Sequence, residues 1–240
     1  MLIWQLTILA SYFVKGVAGF GNSLVHLGIM AYFRDNAELA SVDPLLTAPA
    51  NVVQLVRFRK YLNWRKWLPV TLVMVLALLP GALLLRYTDP RIVKLLFGPA
   101  VILLGLNMLR PAKEAADVRS PGGRIVTWGL VILAGIMSGM FGIGALITAA
   151  MGRMTSDMKE LKANLSAVFV ADNACRLVIY AFTGILTRNG LLRALQLTPA
   201  MALGLLLGMA CAGRISEHAV RLCVVAVLVA SGILLIVNNL

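Results

Sequence analysis

Two glycine triplets with identical spacing carry the strongest chemical signal in this sequence. They are Gly16, Gly19 and Gly21 in Lys-Gly-Val-Ala-Gly-Phe-Gly, and Gly139, Gly142 and Gly144 in Ser-Gly-Met-Phe-Gly-Ile-Gly. Each triplet lies in the middle of a long apolar run, residues 2 to 31 and 125 to 151. Glycine has the largest backbone-entropy cost in a helix and takes dihedrals that other residues avoid, so each triplet predicts a helix break. A break frees backbone N–H groups at the positive end of a helix dipole, and both features attract anions.

Ionisable residues inside apolar runs add full charges to this picture. Burying one in hydrocarbon costs several kcal/mol unless it is paired or wetted, so each is a functional candidate. Lys15 immediately precedes the first triplet, His26 follows it, and Asp172 and Arg176 lie deep in a later run. Asp172 and Arg176 are one helical turn apart on a common face, which lets them neutralise each other. Lys15 and Arg176 are the candidate anion-binding cations, and His26 and Asp172 the candidate proton-coupling groups. Asn22, Ser23, Asn51 and Asn173 supply uncharged polar groups that could either bind the same anion or link helices by hydrogen bonds.

The elements that must position these residues are membrane helices. The chain of 240 residues is 60% hydrophobic and 13% charged, whereas soluble domains carry about 25% charged residues. The apolar runs are too long and too unalternating for barrel strands. Eight can be drawn: 2 to 31, 37 to 56, 67 to 85, 92 to 109, 125 to 151, 161 to 184, 191 to 212 and 219 to 237. Met1 leads directly into apolar sequence without a basic region or cleavage site, so no removable signal peptide is expected. The net charge of +12 comes from basic residues at segment ends, which suits orientation and anionic lipid headgroups rather than nucleic acid.

A polar linker rich in Pro, Gly and charge divides the eight runs into two sets of four. The resulting units are a first repeat at residues 1–110, a connecting loop at 111–123 and a second repeat at 124–240. The triplets correspond at one constant offset, and Gly81, Lys94 and Leu95 correspond to Gly208, Arg221 and Leu222 at a nearby one. Asn51 likewise matches Asn173, so an internal duplication is expected.

Crossing by all eight runs would divide the basic residues almost evenly between the two faces, against the positive-inside rule. If the first and fifth runs instead dip in and return at their glycines, one face keeps only Arg34, Arg86, Arg91, Lys94, Arg188 and Arg193. The other face, assigned to the cytoplasm, then holds most of the rest. Legs of about fifteen residues would reach only about 22 Å, short of a hydrocarbon core near 30 Å. The expected fold is therefore an all-α integral membrane protein of two inverted four-segment repeats. In each, the first segment is broken or re-entrant at its GxxGxG motif.

Gly16-Val-Ala-Gly-Phe-Gly21, Gly139-Met-Phe-Gly-Ile-Gly144, Asp89-Pro90-Arg91 and the two four-segment halves together resemble the TauE/SafE sulfite exporter family, the toluene sulfonate uptake permeases. The resemblance covers nearly the whole chain. It implies secondary transport of sulfur-containing anions such as sulfite, sulfoacetate or sulfonates across a bacterial inner membrane. The family's motif usually continues with further glycines and a later proline, where this sequence has Asn22-Ser23 and Ala145-Leu146. The expected ligand is a small anion. No cofactor, metal or catalytic constellation is indicated, and the protein is not expected to be an enzyme. An anion channel on the same scaffold and a non-transporting membrane scaffold are the alternatives. Small-residue patterns such as Gly204-x-x-x-Gly208 could pack helices within one chain or in a homodimer.

Overall fold

A computed structural model of the chain describes residues 1–19, 21–34, 36–109, 120–142, 144–155, 157–212 and 214. Near the C-terminus it also describes residues 222, 225, 226, 229, 230, 232, 233, 236 and 237. Through Cys211 the described residues form α1 (Leu2–Ala18), α2 (Asn22–Met30), α3 (Asn36–Phe58), a 3-10 turn (Arg59–Tyr61), α4 (Trp64–Tyr87), α5 (Pro90–Leu109), α6 (Pro121–Phe141), α7 (Ala145–Met154), α8 (Met158–Thr183) and α9 (Arg188–Cys211). The first seven apolar runs each map to a helix or a helix pair. Most of the eighth run and residues 111–119 of the connecting loop lie outside the described residues. Pro121 to Gly123, expected in that loop, instead form the first turn of α6. Ser120 Oγ caps that turn by accepting from Gly123 N at 3.1 Å, and proline suits the first helical position because its missing N–H would have no partner there.

Both glycine triplets break their helices. Gly19 ends α1 at φ 91° and ψ −10°, its N–H donating to Lys15 O, and Gly21 opens α2 at φ 95°. Gly142 ends α6 at φ 68°, its N–H donating to Ser138 O. These are left-handed dihedrals that an L side chain resists, which is why the breaks fall at glycine.

After each break the chain turns back. Trp4, near the start of α1, packs on His26 of α2 with ring centroids 5.4 Å apart. Arg153 at the end of α7 donates from Nε to Thr127 Oγ1 near the start of α6, at 3.0 Å. Both pairs are therefore helical hairpins. Their legs are unequal, which corrects the expected fifteen residues each: α1 has 17 residues and α2 has 9, and α6 has 21 against 10 in α7. At 1.5 Å per residue α6 extends about 31 Å, enough to traverse a hydrocarbon core by itself.

The two halves interlock through close helix contacts. A Cβ on Gly16 would collide with the backbone of Leu205, Gly208 and Met209, and one on Gly204 would meet Leu9, so α1 and α9 run parallel with backbones touching. A Cβ on Gly139 would meet Leu78, Gly81 and Ala82, and one on Gly135 would meet Met74 and Ala77, so α6 runs parallel to α4 in the same manner. Without a hydrophobic force between helices in lipid, such small-residue contacts supply much of the association through van der Waals packing. Gly204 and Gly208 are thus used inside the chain.

Between these pairs α3 and α8 run antiparallel. Asp43 pairs with Arg176 at one level, and Asn164 Oδ1 accepts from Asn63 N, just beyond α3, at another. Around the bundle, Leu76, Leu79, Phe182 and Leu206 are exposed. Among the described residues, five helices are long and apolar enough to cross a membrane: Ala37–Tyr61, Trp64–Tyr87, Pro121–Phe141, Met158–Thr183 and Arg188–Cys211. The protein is an all-helical, multi-pass membrane protein.

Candidate functional site

The two breaks meet at a small cavity walled by both halves. Gly21, Asn22, Ser23 and Leu24 bring the N-terminus of α2 to one side, and Gly142 and Gly144 bring the N-terminus of α7 to the other. Neither helix start has a side-chain cap. The first N–H groups of a helix lack intrahelical acceptors, and each N-terminus acts as roughly half a positive charge.

Lys15 reaches this space from the last turn of α1. Only 1% exposed, it donates from Nζ to Asn22 Oδ1 at 3.3 Å, and the ammonium lies 5.8 Å from the centre of the Phe169 ring. Its hydrogen-bond partner is a neutral amide. The loop backbone here is pinned from α3, where Gln54 Nε2 donates to Lys15 O at 3.3 Å.

Arg176 enters from α8 and is also 1% exposed. Its Nη2 donates to Asp43 Oδ2 at 2.8 Å and to Asn173 Oδ1 at 2.5 Å. Nε and Nη1 have no hydrogen-bond partner among the described residues. Gly142 makes room for the guanidinium, because a Cβ there would run into Arg176 and Asp43.

Asp43 takes the role that the sequence spacing gave to Asp172. The expected pairing of Asp172 with Arg176 is replaced by one across 133 residues, and Asp172 instead accepts from Ser138 Oγ at 2.8 and 2.9 Å. A shared helical face brings two side chains close, but a hydroxyl on α6 and a carboxylate on α3 offer each of them better geometry. Asp43 Oδ1 additionally accepts from Ser23 Oγ at 2.8 Å and Thr47 Oγ1 at 3.3 Å. Thr47 in turn accepts from Asn22 Nδ2 at 3.0 Å and bonds the Tyr12 hydroxyl at 3.0 Å.

Of the residues expected at the site, Lys15, Gly21, Asn22, Ser23, Asn51, Gly142, Gly144, Asp172, Asn173 and Arg176 line the cavity. Asn51 is fully buried, and neither of its amide atoms has a hydrogen-bond partner among the described residues. Gly16 and Gly139 do not line it; they are helix-packing positions against α9 and α4. Gly19 sits behind the wall, near the aliphatic stem of Lys162. His26 is also outside the cavity wall, buried against Trp4 with both ring nitrogens unpartnered among the described residues. Sequence reasoning missed Asp43, Thr47 and Phe169. Asp43 carried a usable signal, since it is a carboxylate inside the apolar run 37 to 56.

The site has no metal-like cluster of three or more His, Cys, Asp or Glu side chains among the described residues. It offers buried N–H donors and positive charge to a small anion. Comparison with known proteins agrees with that chemistry. The family model described as sulfite exporter TauE/SafE matches residues 5–235, nearly the whole chain. No curated protein matches, and no solved structure does. With the family model spanning both hairpins and the cavity between them, the chain belongs to the sulfite exporter TauE/SafE family of membrane transporters.

Proposed function

We propose that this protein is a secondary transporter that moves small sulfur-containing anions, of the sulfite, sulfoacetate or sulfonate type, across a bacterial inner membrane by alternating access. The anion binds between two inverted repeats, residues 1–110 and 124–240. The observation that carries this reading is the pair of uncapped helix N-termini facing one cavity with Lys15 and the unpartnered Nε and Nη1 of Arg176. Buried donors left without acceptors cost free energy, and an oxyanion with several acceptor oxygens satisfies them together. The antiparallel run of α3 and α8, and the crosswise packing of α1 on α9 and α6 on α4, support the inverted relation between halves. Discontinuous helices meeting between inverted repeats are a recurrent way to build a transport site.

Purified protein screened against sulfite, sulfate, thiosulfate, sulfoacetate, taurine and simple carboxylates should be thermally stabilised by the sulfur oxyanions. A ligand at 100 times its dissociation constant adds about 2.7 kcal/mol. Reconstituted vesicles should then accumulate the stabilising anion in response to a proton gradient or membrane potential. Stabilisation by taurine or simple carboxylates alone would refute the substrate class, and flux without saturation would favour a channel.

A further inference from the structure

Beside the cavity, a carboxylate of the protein itself already holds groups that would bind an anion there. Asp43 Oδ1 is bonded to Ser23 at the N-terminus of α2, and Asp43 Oδ2 to Arg176 beside Gly142 at the other break. One negative group thus spans both breaks. We infer that Asp43 is an internal competitor for the transported anion, which binds by taking Arg176 from Asp43, and that the displaced carboxylate takes up one proton from the aqueous side to which the cavity is open.

This inference rests on the anion-transport reading above and adds the coupling residue. Lys15 and Arg176 are balanced in formal charge by Asp43 and Asp172, leaving about one positive charge from the two helix N-termini at roughly +0.5 each. A monoanion matches that surplus. A dianion exceeds it by one charge, and neutralising Asp43 restores the balance. Displacement also strips Asp43 of its cation in a buried setting, where an unpaired charge is neutralised rather than held bare. Ser23 and Thr47 stay in place to bond the neutral acid, because a hydroxyl can accept as well as donate.

Several other groups act electrically on Asp43. Tyr12 and Lys15 face it from α1, His26 from α2, and Asp172, Arg176 and Tyr180 from α8. Arg193 of α9 is engaged by Glu38. Among these, Asp43 is the carboxylate bonded directly to the anion-binding guanidinium, so loss of that bond is the step that links anion to proton. Asp172 keeps its Ser138 hydroxyl whether or not Arg176 changes partner.

The test measures binding of sulfate and of sulfoacetate, whose charges are constant across neutral pH, together with proton uptake in weakly buffered detergent solution. Wild-type protein should take up one proton per dianion bound, and its dissociation constant should rise up to tenfold per unit increase in pH, as linkage of one proton requires. Asp43→Asn should bind more tightly, with no uptake and no pH dependence. Uptake that persists in Asp43→Asn, or binding to wild type without uptake, overturns this inference and leaves the anion site standing. If Asp43→Asn does not fold, infrared difference spectra of the wild type decide: binding of sulfate must convert one carboxylate to a carboxylic acid, and absence of that conversion overturns the assignment. Absence of anion binding to the wild type overturns the transport reading and this inference with it.

Discussion

Lys15 and Arg176 are both buried cations, but their removal should have different consequences. Arg176 is bonded to Asp43, so Arg176→Gln strands a buried carboxylate and should destabilise the protein by about 3–5 kcal/mol. The double variant Asp43→Asn with Arg176→Gln removes both charges and should recover most of that loss. Lys15 is bonded to a neutral amide, so Lys15→Gln should weaken anion binding while leaving the substrate-free protein about as stable. Thermal unfolding of the three variants without ligand, then with sulfite, separates the two roles. A double variant no more stable than Arg176→Gln would show that the Asp43 pair does not govern folding. At this scale the sequence named both cations and the polar ring of Asn22, Ser23, Asn51 and Asn173. It did not name the partner of Arg176, because helical spacing reports neighbours on one helix, and Asp43 arrives from another across 133 residues.

For the helical hairpins, the glycines divide into kinds that substitution should expose. Gly142 has φ 68°, and a Cβ there would strike Arg176 and Asp43, so Gly142→Ala should abolish anion binding and also lower stability. Gly19 has φ 91°, but a Cβ there would make only ordinary contact with the Lys162 stem, at 3.7 Å. Gly19→Ala should therefore show the backbone strain, about 1–2 kcal/mol, with anion affinity retained. Thermal unfolding and sulfite titration of both would check this, and equal affinity loss in the two would deny the distinction. The breaks were legible because glycine alone tolerates left-handed dihedrals cheaply. The unequal legs were not, since a leg's outer end depends on caps and turns such as Ser120 and Pro121.

Across the whole molecule the basic residues and the folded contacts point to the same arrangement. Lys66 pairs with Glu160 at 2.9 Å, and Asn63 Nδ2 donates to the same carboxylate at 3.0 Å, placing the turn before α4 beside the start of α8. Arg193 stacks over Trp4 and pairs with Glu38, gathering the starts of α1, α3 and α9. Single cysteines introduced at residues 59–65 and 153–159 should therefore react with an impermeant reagent from the same, cytoplasmic, side. Labelling from opposite sides would sink the two-hairpin topology. The apolar runs and their glycine breaks were readable from composition and spacing, whereas the packing of α1 on α9 and of α6 on α4 was not. Nothing in a pattern of apolar residues says which of several similar faces a helix will choose.

Crosswise partnership also has a consequence for how the chain is made. Gly16 rests on Gly208, and Gly139 on Gly81, so each broken helix finds its closest neighbour in the opposite half. During synthesis from the N-terminus, α1 is complete long before α9 has left the ribosome, and its glycine face must wait in a half-built environment. The packing of α1 on α9 is then a late event in biogenesis, and a chain stalled before α9 presents quality control with an uncovered small-residue face.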